Sequence, residues 1–181
     1  GYKSTANQIG ANIDGEAEGD KLGYSVSFNE NATIMAVGSI GNDGNGPDSG
    51  QVSVYNYNGT SWAQLGADID GETAYDNSGI SVSLSSEGNT LAVGAYTNDG
   101  NGTSSGHVRV YNYNGSSWIK LGADIDGETQ ADGSGWSVSL SSSGTIIAIG
   151  AYGNDGNGAD SGHVRVYNYN GTSWAQLGAD I

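Results

Sequence analysis

The sequence predicts an all-β fold, and three features support this prediction. Its 181 residues include 32 glycines but only one proline, beside abundant Asn, Ser and Asp, a composition typical of many tight turns. Apolar residues alternate with small polar ones instead of recurring at helical spacing. The sequence also repeats, because Trp62, Trp118 and Trp174 follow one another at a constant spacing of 56 residues. A fixed period of this length indicates a repeat architecture.

The period divides the chain into three repeats preceded by a partial one. We place the repeats at residues 14–69, 70–125 and 126–181. Residues 1–13 form the partial repeat, because STANQIGANI within them corresponds to TSWAQLGADI at the end of the chain. The chain therefore carries one surplus copy of its outer-strand sequence. A terminal copy is available for donation to the sheet of an adjacent chain.

The middle repeat shows how each unit is expected to fold. Ile80, Val82 and Leu84 alternate with serines and predict a first strand, and LAVGAY at 91–96 predicts a strand buried on both faces. HVRVYNYN at 107–114 predicts a third strand, and an Asn-Gly hairpin turn then leads into the fourth strand, SSWIKLG. Sheets of four antiparallel strands repeated in tandem bury their faces against one another. The sequence therefore predicts a β-propeller with three four-stranded blades per chain.

Closure of such a propeller requires further blades. Closed propellers have roughly four to eight blades, so three blades would leave two apolar faces uncovered. Two chains could complete a six-bladed ring with twofold symmetry, and three chains a nine-bladed one. Neighbouring repeats of a longer chain would serve equally. We therefore expect a homo-oligomer or a segment of a longer array.

Three stretches carry a resemblance to a known family. They are GYSVSFNENATIMAVGS, GISVSLSSEGNTLAVGAY and GWSVSLSSSGTIIAIGAY, each followed by a glycine and a VRVY-like strand. The pattern resembles the FG-GAP repeats of integrin α propellers, and the resemblance implies blades with an inner SVSLS strand and an outer Trp-containing strand. The family's calcium loop, rich in spaced Asp, is replaced by NENAT, SSEGNT and SSSGT. Ser39, Ala95 and Ala151 precede the position of the GAP proline. The family's calcium site is therefore not carried over.

The charge of the chain excludes several classes of partner. Twenty acidic residues oppose five basic ones, and the resulting net charge of −15 repels nucleic acid and anionic membranes while attracting cations. No apolar run approaches the roughly 20 residues that span a bilayer, so we expect no membrane insertion. Cysteine is absent, which excludes disulfides and thiolate metal sites. With N-x-[ST] sequons beginning at Asn58, Asn114 and Asn170, we expect an extracellular or cell-surface location.

An acidic, glycine-rich loop recurs in every repeat as NDGNGPDSG, NDGNGTSSG and NDGNGADSG. It joins the second and third strands, on the same face as the DIDGE link between blades. The loop could bind Ca²⁺ or Mg²⁺ through side-chain oxygens, although its spacing differs from that of an EF-hand and Ser104 replaces a carboxylate. Alternatively, Asp and Asn cap their own turns. The candidate metal ligands are Asp43, Asn45, Asp48, Asp99, Asn101, Asp155, Asn157 and Asp160 in the loops and Asp14, Asp70 and Asp126 in the links.

Catalysis is not predicted. The paired carboxylates occur in every repeat, whereas an enzyme normally needs one asymmetric site, and the sequence has no nucleophile elbow, phosphate loop or HExxH motif. His107 and His163 begin third strands, and Gln51 stands at the equivalent position of the first repeat. We interpret both histidines as surface hydrogen-bonding residues.

The sequence predicts a non-enzymatic extracellular repeat module for adhesion, assembly or ligand binding, with an acidic face that binds divalent cations. One alternative is a carbohydrate-binding lectin, because aromatic residues recur in every repeat and could stack on a glycan. The same aromatic residues could instead pack one blade against the next. Another alternative is a purely structural self-assembling repeat protein, either a natural filament subunit or an engineered symmetric one. The candidate glycan-binding residues are Trp62, Trp118, Trp174, Tyr113 and Tyr169.

Overall fold

A computed structural model of the chain describes residues 7–181, so residues 1–6, at the start of the N-terminal partial repeat, lie outside it. The described residues form fourteen β-strands and no helix. The strands assemble into three antiparallel sheets, one per repeat. The predictions of an all-β fold and of three four-stranded blades are confirmed. The described residues therefore contain no helix long and apolar enough to cross a membrane.

The first sheet, blade 1, contains five strands, of which the last is very short. Its strands are β1 (Leu22–Phe28), β2 (Ile34–Ser39), β3 (Gln51–Tyr57), β4 (Trp62–Gln64) and β5 (Ile69–Asp70). The first four lie side by side in chain order. The fifth pairs with the beginning of β3, where Gln51 faces Asp70. Strands β4 and β5 are thus two halves of one outer strand, interrupted by a bend at Gly66, whose φ is +80°.

The other two sheets repeat this arrangement. Blade 2 consists of β6 (Ser81–Leu84), β7 (Thr90–Ala95), β8 (His107–Tyr113), β9 (Trp118–Lys120) and β10 (Ile125–Asp126). Blade 3 consists of β11 (Ser134–Leu140), β12 (Ile146–Ala151), β13 (His163–Tyr169) and β14 (Trp174–Gln176). Strand β14 pairs with β13, so the C-terminal copy of the outer-strand sequence is used within its own blade.

The hairpin between the third and fourth strands is tight, as the sequence predicts, but its corner lies one residue later. Tyr113 pairs with Trp118, and the N–H of Asn114 donates to the carbonyl of Ser117 at 3.1 Å. The side-chain Oδ1 of Asn114 accepts the N–H groups of Ser116 and Ser117, both at 3.0 Å. The corner is therefore formed by Gly115 and Ser116 instead of by the Asn-Gly pair, because the asparagine side chain caps the turn.

The hydrophobic core lies between the blades. Val52 and Val54 on β3 pack against Val82 and Leu84 on β6 of the next blade. The second interface is built in the same way, with valines of β8 facing isoleucines of β12. Blade 2 thus buries one face against blade 1 and the other against blade 3. This arrangement explains why the second strands are apolar at nearly every position.

Serine hydroxyls link the first strands of successive blades. Ser25 donates from its Oγ to the carbonyl of Gly79 at 2.7 Å, and the Oγ of Ser27 accepts the N–H of Leu84 at 3.0 Å. The next pair of blades repeats both contacts at closely similar distances, from Ser81 and Ser83. The small polar face of the SVSLS strand therefore forms hydrogen bonds with the neighbouring blade.

Tryptophan closes the outer end of each interface. The indole Nε1 of Trp118 donates to the carbonyl of Leu65 in the preceding blade at 2.9 Å. Trp174 donates in the same way to Leu121 at 2.8 Å, and Trp62 donates to Ile9 at 3.1 Å. In each repeat the tryptophan therefore forms a hydrogen bond with the preceding copy of the outer-strand sequence.

Candidate functional site

The acidic loop and the link to the next blade lie against each other, as the predicted topology requires. In blade 1 the side-chain amide of Asn45 donates to the carbonyl of Gly71 at 2.8 Å. Two further backbone hydrogen bonds join the segments, from Asn77 to Asp48 at 3.1 Å and from Ser78 to Ser49 at 3.0 Å. The loop of residues 42–50 is thus held by the link that follows its own blade.

Side chains of the loop cap its own turns. Asp43 accepts the backbone N–H of Asp48 at 2.9 Å through Oδ1, and Asn42 accepts that of Gly44, also at 2.9 Å. Asp48 itself has a left-handed backbone, with φ of +48°. The equivalent aspartates Asp99 and Asp155 accept the N–H groups of Ser104 and Asp160, both at 2.8 Å. One carboxylate oxygen of each loop aspartate is therefore used by the turn.

The other candidate ligands are distributed among several environments. Asn101 donates to the carbonyls of Gly127 and Glu128, both at 2.9 Å, and the first of these bonds repeats that of Asn45 to Gly71. Asn157 belongs to the last blade and is exposed. Asp70 and Asp126 end the short outer strands β5 and β10. Asp14 is exposed at the equivalent position before blade 1.

The structure brings several of these carboxylates together at one cavity beside the loop of blade 1. The cavity has a volume of about 390 Å³. It receives residues from the loop, from the link before the blade and from the end of the blade. Its lining residues are Glu16, Ala17, Glu18, Asp20, Asn42, Asp43, Gly44, Gln51, Asp68 and Asp70. Six of these side chains are carboxylates and none is basic. We call this cavity the first-repeat pocket.

The same position in the other repeats holds a histidine between two carboxylates. Glu72, His107 and Asp124 place ligand atoms within 4.8 Å of one another. Glu128, His163 and Asp180 form the equivalent cluster in blade 3. His107 is buried, with 3% of its surface exposed. The interpretation of this histidine as a surface residue is therefore wrong, because the acidic link covers the beginning of its strand.

Arg109 neutralises the cluster of blade 2. Arg109 forms an ion pair with Glu72, and its Nε lies 3.3 Å from Asp124. Lys120 adds a second cation 2.8 Å from Asp124. Sequence reasoning missed this arrangement, although the signal is visible in the sequence. The first repeat has Gln51 and Ser53 where the second has His107 and Arg109.

The cluster of blade 3 is also partly neutralised. Arg165 lies with its guanidinium 3.7 Å from Glu128 and donates to the carbonyl of Asp126 at 2.7 Å. In the first repeat the corresponding side chain is Ser53, whose hydroxyl donates to Asp68 at 2.7 Å. A hydroxyl satisfies one oxygen but supplies no positive charge. No ion pair within residues 7–181 neutralises the carboxylates that line the first-repeat pocket.

The pKa values follow these charges. Burial raises the pKa of Asp70, and the nearby carboxylate of Asp68 raises it further. Burial also acts to raise the pKa of Asp124, but the Lys120 hydrogen bond and the Arg109 charge outweigh it, so the pKa is lowered. Burial lowers the pKa of His107 despite the surrounding carboxylates, of which Asp124 acts most strongly. Proton affinity is thus raised in the first repeat and lowered in the second.

The candidate glycan-binding aromatic residues lie at the outer ends of the blade interfaces. The rings of Tyr113 and Trp118 lie 5.2 Å apart, as do those of Tyr169 and Trp174, and Trp62 packs on Tyr57 at 5.1 Å. Each indole N–H is used by a backbone carbonyl, as described above. A cavity of about 200 Å³ adjoins Trp174 between blades 2 and 3. Its other lining residues include Asp124, Asp126, Tyr167 and Ser173.

The sequence matches a known repeat family over most of its length. The FG-GAP repeat matches three times, at residues 11–55, 64–111 and 120–167. These matches follow the three blades seen in the structure. No curated protein matches the chain significantly over its sequence.

Solved structures with similar folds include propellers. A candidate 6-phosphogluconolactonase from Bacteroides fragilis superposes with a TM-score of 0.60 at 10% identity, over 86% of this chain and 38% of its own. Kuenenia stuttgartiensis hydrazine synthase gives 0.56 at 9% identity, over 94% of this chain and 38% of its own. The Cps50 (Swd1) β-propeller domain from Myceliophteria thermophila superposes with a TM-score of 0.51 at 13% identity, over 89% of this chain and 38% of its own. The chain thus spans less than two fifths of these structures, and the likeness shows the fold alone.

Proposed function

The chain belongs to the FG-GAP repeat family, and from this premise we propose that it is a non-enzymatic extracellular module for adhesion, assembly or ligand binding whose first repeat binds a divalent cation. The observation that supports cation binding is the first-repeat pocket, which gathers six carboxylates around about 390 Å³ without a basic side chain. Like charges at this density repel one another unless a cation or solvent screens them. A bound cation would remove that cost.

The donor atoms of the first-repeat pocket favour a hard cation. Carboxylates of Glu16, Asp68 and Asp70 and the side-chain amide of Gln51 line the cavity. Oxygen-only sets suit Ca²⁺ and Mg²⁺, whereas imidazole and thiolate ligands favour transition metals. Asp43 retains one carboxylate oxygen after capping its turn. Ca²⁺ or Mg²⁺ is therefore the cation class that this pocket would hold.

The equivalent positions of the later repeats are less suited to a cation. The guanidinium of Arg109 is already paired with both Glu72 and Asp124. A metal ion there would have to displace the guanidinium of Arg109, which belongs to the blade itself and is held by both carboxylates. The Glu128 cluster faces Arg165 in a similar way. One cation per chain is the stoichiometry that we propose.

The site proposed here differs from the calcium loop of the family. In this chain the turn between β1 and β2 is closed by Asn29, whose Oδ1 accepts the N–H groups of Thr33 and Ile34 at 2.9 and 2.8 Å. That turn offers Asn31 and Thr33 but no aspartate, and Asn31 Oδ1 already accepts the Thr33 hydroxyl at 2.5 Å. The residues of this turn do not fit the family's calcium site.

Thermal unfolding with and without cations tests the proposal. The melting temperature of the chain should rise by about 5–10 °C when Ca²⁺ or Mg²⁺ is present at roughly 100 times its Kd. The double variant Gln51→His with Ser53→Arg carries the side chains of the second repeat into the pocket, and its melting temperature should not respond.

A control variant separates the pocket from overall charge. Thr60→Arg adds a positive charge at an exposed hairpin outside the pocket, and its response should equal that of the unmodified chain. An unmodified chain that ignores both cations would overturn the proposal. So would a double variant that responds as strongly as the control.

The cavity beside Trp174 supports glycan binding as a second candidate function. It combines an aromatic ring with two carboxylates, Asp124 and Asp126, in a space of about 200 Å³. Aromatic rings that stack on sugars beside carboxylates that bind hydroxyls would give a small glycan site. Binding on a glycan array should then be lost in Trp174→Ala and retained in Trp62→Ala. Absence of glycan binding by the unmodified chain would exclude this candidate.

A further inference from the structure

The three blades leave two sheet faces uncovered, and these faces differ in composition. The first lies on blade 1 and carries Val26 and Phe28, and we call it the leading face. The second lies on blade 3 and carries Val164 and Ile181, and we call it the trailing face. All four side chains are exposed, from 37% for Val164 to 81% for Ile181. Monomeric proteins rarely expose such apolar surfaces.

The two faces are the two halves of an interface that the chain already forms twice. Val82 and Leu84 stand at the positions of Val26 and Phe28, and both are buried against blade 1. Val108 and Ile125 stand at the positions of Val164 and Ile181, and both are buried against blade 3. These side chains are thus buried where a neighbouring blade covers them and exposed where none does. The leading face therefore fits the trailing face of the same repeat sequence.

The polar contacts of the interface are also present on the two faces. Ser137 and Ser139 occupy the trailing face at the positions of Ser81 and Ser83, and both are exposed. Their counterparts bind a glycine carbonyl and a backbone N–H of the following blade. The leading face offers the same two groups at Gly23 and Phe28. Apolar and hydrogen-bonding patterns thus agree in register.

A short segment of the chain occupies part of the leading side. The carbonyl of Ile9 accepts the indole N–H of Trp62 at 3.1 Å, and Gly10 lies against the same ring. Leu65 and Gly66 hold Trp118 in the same way between blades 1 and 2. Residues 7–13 therefore take the place that the outer strand of a preceding blade would take.

We propose that two copies of this chain close into a six-bladed ring in which each trailing face covers the leading face of the other copy. Six blades lie within the range of roughly four to eight found in closed propellers, whereas nine lie outside it. A two-chain ring has twofold symmetry and leaves no open face. The second copy supplies the same blade sequence that each internal interface already uses.

Ring closure requires residues 7–13 to release Trp62. In the ring, Leu177 and Gly178 of the second copy stand where Ile9 and Gly10 stand in the single chain. Both segments cannot occupy Trp62 at once. The N-terminal segment therefore competes with the second copy and weakens assembly.

Matched glycine variants test this competition. Gly10 and Gly178 have φ of +77° and +80°, so an alanine at either position strains the backbone to the same extent. A Cβ at Gly10 would meet Trp62 at 2.9 Å, whereas a Cβ at Gly178 meets nothing within 4 Å in the single chain. Gly10→Ala therefore weakens the N-terminal segment, whereas Gly178→Ala carries the same backbone strain but would meet Trp62 only in the contact between copies.

Sedimentation velocity over a range of concentrations, in EDTA and again in Ca²⁺, provides the readout. The expected particle contains two chains. Its dissociation constant should fall by about tenfold in Gly10→Ala and rise by about tenfold in Gly178→Ala, each near 1.4 kcal/mol. Val164→Asp places a charge on the trailing face and should abolish the particle. Circular dichroism confirms that each variant remains folded.

Three results would overturn the proposal. One is a monomer at all concentrations in the unmodified chain and in Gly10→Ala. Another is a dimer that persists in Val164→Asp, which would place the contact elsewhere. The third is a particle larger than two chains, which would indicate an open filament or a larger ring. Equal dissociation constants for the two glycine variants would exclude the competition by residues 7–13.

Discussion

The first and second repeats share one strand pattern but have different surroundings. Val26 in the first repeat is 60% exposed, whereas Val82 at the same position in the second is 9% exposed. Trp62 holds a short N-terminal segment, whereas Trp118 holds the outer strand of a complete blade. A propeller repeat is therefore stabilised by the blades that cover its two faces. The same side chain contributes little or much according to which side of it is covered.

The two repeats also differ in charge. Arg109 and His107 lie among the carboxylates of the second repeat, whereas Ser53 and Gln51 occupy those positions in the first. The second repeat uses its acids in ion pairs that stabilise the link between blades. Among the described residues, the acids that line the first-repeat pocket form no ion pair, and Lys21 lies 3.7 Å from Asp48 outside that lining. The second repeat has His107, Arg109 and Lys120 in a structural cluster, whereas the first has Gln51, Ser53 and Gln64 at the same positions of a candidate binding site.

The largest expected contrast concerns the apolar faces. Val82→Ala should lower the free energy of unfolding by about 2 kcal/mol, because two buried methyl groups are lost and a cavity remains. Val26→Ala should lower it by less than about 0.5 kcal/mol in the dilute single chain, since that side chain is mostly in water. Urea denaturation measures both. Equal losses would show that the leading face is covered in solution.

The ion pairs give the next contrast. Arg109→Ser should lower the free energy of unfolding by about 1–2 kcal/mol, because the carboxylates of Glu72 and Asp124 lose a largely buried guanidinium. The loss is limited because Glu72 is 42% exposed and its charge is screened by water. Ser53→Arg in the first repeat should leave stability unchanged or raise it. A destabilised Ser53→Arg would contradict the view that this pocket lacks a cation.

The tryptophans give a smaller contrast. Trp118→Phe removes the donor to the half-buried Leu65 and should cost about 1 kcal/mol beyond the lost packing. Trp62→Phe should cost less, since the carbonyl of the exposed Ile9 can bind water instead. The difference between the two melting temperatures measures this effect. A larger loss for Trp62→Phe would show that the N-terminal segment contributes more to stability than a blade edge does.

The pH dependence gives the smallest contrast. The lowered pKa of Asp124 means that its ionised form stabilises the fold above the ordinary value of 3.8 and that this stability is lost as pH falls through the folded pKa. The raised pKa of Asp70 means that its ionised form destabilises the fold until it is protonated. At pH 7, Asp124→Asn should therefore lower the melting temperature and Asp70→Asn should raise it.

Melting curves at pH 7 and at pH 2 check these signs. The Asp70 difference should shrink as pH falls through its raised folded pKa, and the Asp124 difference should shrink only at lower pH, as pH falls through its lowered folded pKa. Shifts that stay the same at both pH values would indicate effects of shape rather than of charge.

Much of the fold could be predicted from local patterns. Alternation placed the first strand of the middle repeat at Ile80, and the structure begins it at Ser81. The corner of the hairpin was placed one residue too early, because the side chain of Asn114 caps the turn, an effect that the Asn-Gly pair alone does not reveal. The two-residue strands Ile69–Asp70 and Ile125–Asp126 were also missed. Their pairing depends on the edge of a strand far away in sequence.

The candidate site was only partly predictable. The loop and the link were placed on one face from strand order alone. The burial of His107 was not foreseen, because the covering groups come from a preceding link and from a later strand end. The exchange of His107 for Gln51 was visible in the sequence, and a comparison of the repeats two positions further along the third strand would have added that of Arg109 for Ser53.

The most direct test of the account is the number of cations that each chain binds. Isothermal titration of the metal-free chain with Ca²⁺, and separately with Mg²⁺, measures this number. The account predicts one site per chain for the ion that binds, lost in the double variant Gln51→His with Ser53→Arg. Three sites per chain would contradict it, because the acidic loop common to all repeats would then be the ligand, and absence of binding by both ions would remove the cation from the function.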